Sequence, residues 1–150
     1  MRVVIQRVSE AAVKIDGNFV GEISKGLLVL LGIAQEDTEQ DALYLLQKLI
    51  NLRIFSDADG KMNLSVQDCG GGLLVVSQFT LYADTKKGNR PSYIRASRPE
   101  QAIPLYEFFL RELQKQFQGP IQTGQFGADM KVSLINDGPV TIIIDSRGEN

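Results

Sequence analysis

The sequence predicts an α+β fold: a mostly antiparallel, barrel-like sheet carrying two main helices. Three observations lead there. Short apolar runs of strand character crowd both ends of the chain, within residues 3–33 and 131–145. Only two segments repeat apolar residues at helical spacing. Strands and helices do not alternate regularly, which argues against a doubly wound parallel sheet.

In chain order, residues 3–8 form the first expected strand. Residues 12–15 and 19–23 flank Asp16-Gly17-Asn18, a turn signal, and should pair as a hairpin. Residues 27–33 are continuously apolar, as a strand buried on both faces requires. Thr38 can cap a helix whose first turn holds Glu39 and Asp41, where acids suit the positive helix end. Its apolar stripe is Ala42, Leu45, Leu46, Leu49 and Ile50. Residues 53–56 return as a short strand, and Asp57-Ala58-Asp59-Gly60 turns the chain. That turn resembles half a calcium loop but lacks the downstream Glu, so no calcium site is expected.

Gly70-Gly71-Gly72 introduces an expected strand over residues 73–82, and residues 83–98 are the longest polar stretch. Ser97-Arg98-Pro99-Glu100 has capping-box spacing ahead of a stripe at Ala102, Tyr106, Phe109, Leu110, Leu113 and Phe117. Pro104 should delay or kink the first turns of that helix, and Gly119-Pro120 should end it. Residues 131–135 and 140–145 are the last two strands of an expected total of about eight, and residues 146–150 should fray.

At 150 residues the chain is expected to be one domain, 1–150. Its net charge of -2 offers no bulk attraction to a polyanion, so any nucleic-acid contact needs a local basic patch. There is no histidine, and the single Cys69 can make neither an internal disulfide nor a CxxC motif. The glycine run lacks the Lys-Ser/Thr ending of a P-loop and precedes a strand, which excludes that route to nucleotide hydrolysis. No metal or cofactor motif is present, and none is expected to bind. No apolar run reaches membrane-span length, and charge interrupts the N-terminal run at once, so a cytoplasmic protein without membrane association is expected.

Three segments carry candidate chemistry. Ser77-Gln78-Phe79-Thr80 ends a buried run and gathers two hydroxyls, an amide and a ring. As a strand it would place Ser77 and Phe79 on one face, Gln78 and Thr80 on the other. The plainer reading is a strand end whose hydroxyls satisfy backbone groups. Asn136-Asp137-Gly138-Pro139 lies between apolar runs and reads first as a turn. Yet Gly138-Pro139 also makes a rigid, side-chain-poor edge able to exclude substituents without bonding to them. Lys86, Lys87 and Arg90, with Arg95 and Arg98, form either a solvated loop or a phosphate-contacting patch. Arg7, within an apolar strand, calls for a partner such as a backbone carbonyl.

These segments resemble the D-aminoacyl-tRNA deacylase family. The resemblance rests on Met1-Arg2-Val3-Val4-Ile5-Gln6-Arg7-Val8, Ser77-Gln78-Phe79-Thr80-Leu81, Gly124-Gln125-Phe126-Gly127-Ala128-Asp129-Met130 and Asn136-Asp137-Gly138-Pro139-Val140-Thr141. It implies a homodimer that hydrolyses the ester between a D-amino acid and the 3′ end of tRNA. It implies that Ser77, Gln78, Phe79 and Thr80 form the catalytic wall of a pocket. Gly138-Pro139, with a cis peptide bond, would enter from the partner subunit and reject L-amino acids. Phe126 and Met130 would line or support the pocket, and Arg7 would orient the Gly-Pro element. Lys86, Lys87 and Arg90 are the candidate RNA contacts. Main-chain N–H groups near Phe79 and Thr80 would stabilise the oxyanion. The resemblance favours the terminal 2′-hydroxyl of the RNA over Thr80 as the group that assists attack. Glycyl-tRNA, having no side chain to exclude, should also be cleaved. Two other readings are a Thr80-dependent esterase or amidase on small D-amino-acid derivatives, and a noncatalytic dimeric nucleic-acid-binding module.

Overall fold

The structure, a computed structural model, describes residues 1–148. Its first strand, β1 (Arg2–Ile15), joins what the sequence divides into two. The chain does not break between them. Instead the pairing register slips between Gln6 and Val8 and again between Val8 and Glu10, and such bulges bend a strand without ending it. Asp16 and Gly17 turn at positive φ into β2 (Asn18–Ile23), completing the expected hairpin.

Strand β3 (Gly26–Gly32) lies antiparallel to the first half of β1. Helix α1 (Glu39–Asn51) follows, its start fixed by the Asp41 carboxylate, which accepts from the Thr38 N–H at 2.8 Å. Two short strands, β4 (Phe55–Ser56) and β5 (Met62–Leu64), make a hairpin over the Asp57–Gly60 turn. Strand β6 (Gly72–Ser77) runs parallel to β3. The glycines explain how closely: a Cβ on Gly26 would overlap the Gly72 carbonyl oxygen. Gly71 and Gly72 thus serve close strand contact, a Cβ on Gly71 lying 3.2 Å from the Gly26 Cα, while Gly70 turns at a φ of 69°.

Helix α2 (Pro99–Gln116) begins with Arg98 at its N-cap and no side-chain cap. The expected capping box does not form. Ser97 is held back by its own N–H, which donates to the Ile33 carbonyl at 2.8 Å. Pro99 suits the first helical position, and Pro104 does not delay the helix. The helix ends before Gly119-Pro120 because Phe117, buried, leaves in an extended conformation. Strand β7 (Ile121–Thr123), too short to show in the sequence, adds parallel to β6.

Strand β8 (Lys131–Asp145) joins two expected strands and pairs with the free edge of β1. The described residues therefore hold eight strands, as anticipated in number but not in identity. The sheet order is β2-β1-β3-β6-β7, with β8 on β1. Four of the six pairings are antiparallel. The sheet curls until its ends meet: a Cβ on Gly21 of β2 would lie 2.9 Å from the Thr123 carbonyl oxygen of β7.

This curvature divides the core. Val8, Val13, Leu28, Leu74 and Val76 fill the barrel. Ile5, Val29 and Val75 face outward, under Leu45, Leu49, Phe109 and Leu113 of the two helices. Alternation between two buried faces is why β3 reads as unbroken apolar sequence. No helix among the described residues is long and apolar enough to cross a membrane.

The expected fraying at the C-terminus is corrected at Ser146 and Arg147. Ser146 donates to Asp41 at 2.7 Å, and Arg147 donates to Asp41 and to the Glu36 carbonyl. Asp37, buried, pairs with the Met1 ammonium at 2.6 Å. Buried carboxylates require such partners, and the tail helps to supply them. Glu149 and Asn150 lie outside the described residues.

Candidate active site

Strand β6 stops at Ser77, and a 3-10 helix spans Phe79–Tyr82 where the sequence predicts more strand. The last sheet bond in that direction runs from the Gln78 N–H to the Leu31 carbonyl, at 2.8 Å. After it the backbone bonds to itself, Leu81 to Gln78 and Ala83 to Thr80. The two-faced alternation of Ser77 to Thr80 is therefore wrong. The turn instead leaves the Phe79 and Thr80 N–H groups at a helix start, where they lack intrahelical acceptors. The Gln78 side-chain amide donates to the Thr80 hydroxyl at 2.6 Å.

The far end of the turn is pinned. Tyr82 is buried between the Arg2 and Arg95 guanidinium groups, 4.8 and 5.4 Å from its ring centre. Arg2 also donates to the Leu81 carbonyl at 2.8 Å and pairs with Asp145 at 2.9 Å. Burial, with the nearby charges of Asp37 and Asp145, pushes the Tyr82 hydroxyl well above its ordinary range.

A pocket of about 240 Å³ opens beside this turn. Ser77, Gln78 and Phe79 form one wall; Phe126 and Met130, from the loop between β7 and β8, form another. Gly124 permits that loop to fold inward, since a Cβ there would overlap the Met130 sulfur. Tyr106 of α2 supports Phe126, with ring centres 5.8 Å apart. Burial pushes the Tyr106 hydroxyl up to about 12, so it stays protonated and hydrogen-bonds to the Val75 carbonyl. Asp129 is the one ionisable side chain lining the pocket among the described residues. It is exposed and pairs with Lys131 at 3.1 Å. The pocket therefore holds polar donors and apolar walls but no buried base.

Thr80, Arg7, Gly138 and Pro139 do not line this pocket. Gly138 and Pro139 sit on β8 in a bulge. The pairing jumps from Val8–Asn136 to Gln6–Thr141, so residues 137–140 stand opposite Arg7. A proline is tolerated there because β8 is an edge strand. The Gly138-Pro139 bond is cis, and Gly138 has a φ of 151°, which side-chain-bearing residues rarely adopt. Asn136 ties the neck: its side chain accepts from the Val140 N–H at 2.7 Å and donates to the Thr141 hydroxyl at 3.1 Å. Arg7 donates to the Asp137 carbonyl and to the Ile54 carbonyl, both at 2.8 Å. Asp137, Gly138 and Pro139 are exposed.

The three basic residues project from a loop closed by Asp84 and Ser92, whose backbones exchange bonds of 2.8 and 2.9 Å. Lys86, Lys87 and Arg90 are exposed and have no acidic partner among the described residues. Ser97, Ala102 and Asp129 also line the pocket, and sequence reasoning assigned them no part in it. Ser97 and Ala102 carry no local signal, because sheet curvature and helix placement bring them there.

A family model described as D-Tyr-tRNA(Tyr) deacylase matches residues 4–145. The chain belongs to the D-Tyr-tRNA(Tyr) deacylase family. Curated relatives called D-aminoacyl-tRNA deacylase include one from Akkermansia muciniphila, 63% identical over 98% of each chain. Another, from Flavobacterium psychrophilum, is 62% identical over 99% of each. A solved structure called c-Myc DNA Unwinding Element Binding Protein superposes with a TM-score of 0.94 at 43% identity, covering 99% of this chain and 100% of that one. A second, described as a probable eukaryotic D-amino acid tRNA deacylase, shares the deacylase-family fold, with a TM-score of 0.81 at 16% identity and coverage of 96% and 98%.

Proposed function

We infer that this protein is a D-aminoacyl-tRNA deacylase, a hydrolase that cleaves the ester joining a D-amino acid to the 3′ end of tRNA. The observation that carries the reading is the convergence of Ser77, Gln78 and Phe79 with Phe126 and Met130 around one pocket, in a chain of this family. An aminoacyl ester is already activated, so a positioned water and a stabilised oxyanion suffice. The Phe79 and Thr80 N–H groups supply that stabilisation, each donor contributing roughly 3 kcal/mol. Without histidine, and with Asp129 solvated and paired, the 2′-hydroxyl of the terminal adenosine assists attack in place of a protein base: it takes the proton of the attacking water as it passes its own to the departing 3′-oxygen, leaving a free carboxylic acid and an intact RNA end. Thr80, bonded to the Gln78 amide, has no adjacent base to activate it as a nucleophile.

Chirality is judged by Gly138-Pro139 of a second copy. In a single chain that edge is exposed and absent from its own pocket, which supports a site completed by a second copy in a homodimer. The edge excludes an L side chain without bonding to the D one. Glycine offers nothing to exclude and is also cleaved. Lys86, Lys87 and Arg90 contact the tRNA phosphates, and the enzyme works in the cytoplasm, where tRNA is charged.

The decisive experiment compares release of D- and L-tyrosine from matched charged tRNAs. Release of D-tyrosine alone is expected; equal release of both, or of neither, rejects the reading. Thr80→Ala and a tRNA lacking its terminal 2′-hydroxyl separate the two routes of attack. A dead variant beside normal hydrolysis of the altered tRNA would assign attack to Thr80. The name of the relative with a TM-score of 0.94 points to nucleic-acid binding; a noncatalytic binder would retain charged tRNA without turnover.

A further inference from the structure

Beside the pocket lies an exposed aromatic surface, where the hydrolytic reading gives the side chains of Tyr93 and Ile94 no work. Phe79 is 55% exposed, Tyr93 39% and Ile94 75%. The Phe79 and Tyr93 rings meet edge to face, with centres 5.1 Å apart at 73°. Both supports are ordered. Phe79 opens the pinned 3-10 helix, and the chain after Tyr93 is tied down by Gln35. The Gln35 N–H donates to the Arg95 carbonyl at 3.1 Å, and its side-chain amide donates to the Ile94 carbonyl. The loop carrying Lys86, Lys87 and Arg90 closes at Ser92, the residue before Tyr93. A chain of net charge -2 thus carries three cations, without acidic partners among the described residues, on a loop that closes one residue before an exposed aromatic pair.

Single-stranded nucleic acid is bound by this pairing of features: cations that follow the backbone and rings on which bases stack. Stacking tolerates any sequence, because every base has a π face. Resting on the deacylase reading, we propose that Phe79 and Tyr93 form a stacking platform for a base of the single-stranded 3′ end. That base lies upstream of the terminal adenosine, whose aminoacyl group enters the pocket. Lys86, Lys87 and Arg90 hold the adjoining phosphates. The platform locates the RNA end, and the pocket judges the amino acid.

The test measures KM and kcat for three D-tyrosyl substrates: charged tRNA, a charged CCA trinucleotide and 3′-aminoacyl-adenosine. Wild type, Tyr93→Ala and Tyr93→Phe are compared. Tyr93→Ala is expected to raise KM for the tRNA and the trinucleotide about five- to thirtyfold. It should move KM for aminoacyl-adenosine by less than about twofold, while Tyr93→Phe, which keeps the ring, behaves as wild type. An equal rise for all three substrates would overturn the platform, since Tyr93 would then act through the pocket. So would an unchanged KM on tRNA, or a change in the sedimentation of Tyr93→Ala, which would make the aromatic pair a contact between copies. An active wild type with an indifferent Tyr93→Ala sinks the platform alone; a wild type inert on every substrate sinks the deacylase reading with it.

Discussion

Arg7 shows how one side chain sets the shape of a distant edge. Its guanidinium spans from the Ile54 carbonyl to the Asp137 carbonyl, with 2.8 Å bonds at each end. Hydrogen bonds to a charged donor contribute roughly 1.5–3 kcal/mol. Arg7→Ala is expected to cost about 2 kcal/mol in urea unfolding and to release the bulge that carries Gly138. The ratio of D- to L-tyrosine release should then fall because L-release rises, while D-release persists. Gly138→Ala should act at the same place. A Cβ there would lie 2.8 Å from the Val140 nitrogen and 3.3 Å from Arg7 Nη2, at a φ of 151°. An unchanged D-to-L ratio in both variants would remove Gly138-Pro139 from the filter.

Among elements, the parallel pair β3–β6 positions the 3-10 turn over Phe79–Tyr82. Leu31 pairs with Ser77 at its end, and the Leu31 carbonyl accepts the last sheet bond before the turn. The other end depends on the Gly26–Gly72 contact. Gly26→Ala is expected to push the strands apart and lower the thermal midpoint, with overpacking costs of about 1–3 kcal/mol. Phe109→Ala on α2, a fully buried position, should cost about 3–5 kcal/mol through the cavity it leaves. Calorimetry reads both losses, and an activity assay distinguishes the variants. Gly26→Ala should also reduce hydrolysis measured well below its midpoint, because the strand carrying Ser77 shifts, whereas Phe109→Ala should act mainly on stability.

At the scale of the whole molecule, Met1 and the Ser146-Arg147 segment are fastened to one acidic cluster, Asp37 and Asp41. Burial pushes the Asp41 carboxyl up, but hydrogen bonds from Arg147, Ser146 and Thr38 outweigh it and hold its pKa well below the ordinary value of 3.8. A depressed folded-state pKa gives stability that is present above the unfolded pKa and lost as pH falls toward the folded one. Asp41→Asn should therefore cost about 2 kcal/mol near neutral pH. The gap from wild type should narrow as pH drops below about 4, read from urea midpoints across the acid range. Burial raises the Asp37 carboxyl instead, so Asp37 contributes with the opposite sign: it favours folding below the ordinary carboxylate range and loses that contribution as pH rises through its folded pKa.

The sequence by itself determined the α+β class, the apolar stripes of both helices and the turn at Asp16-Gly17. These are local facts, written in apolar period and turn chemistry, whereas Phe126 and Met130 were legible only through the family resemblance. Tertiary structure decided where strands end. Residues 79–82 carry strand-like sequence, yet the Leu31 carbonyl accepts the last bond from this segment, the Ile33 carbonyl takes the Ser97 N–H instead, and the backbone coils into a 3-10 turn. Asn136 to Val140 read as a break, yet Arg7 and Asn136 hold them as a bulge within one strand. Ser146 and Arg147 read as a loose tail, yet buried carboxylates on another element bind them. In each case a hydrogen-bond partner far away in the chain fixed the outcome, and local sequence cannot announce where such a partner stands.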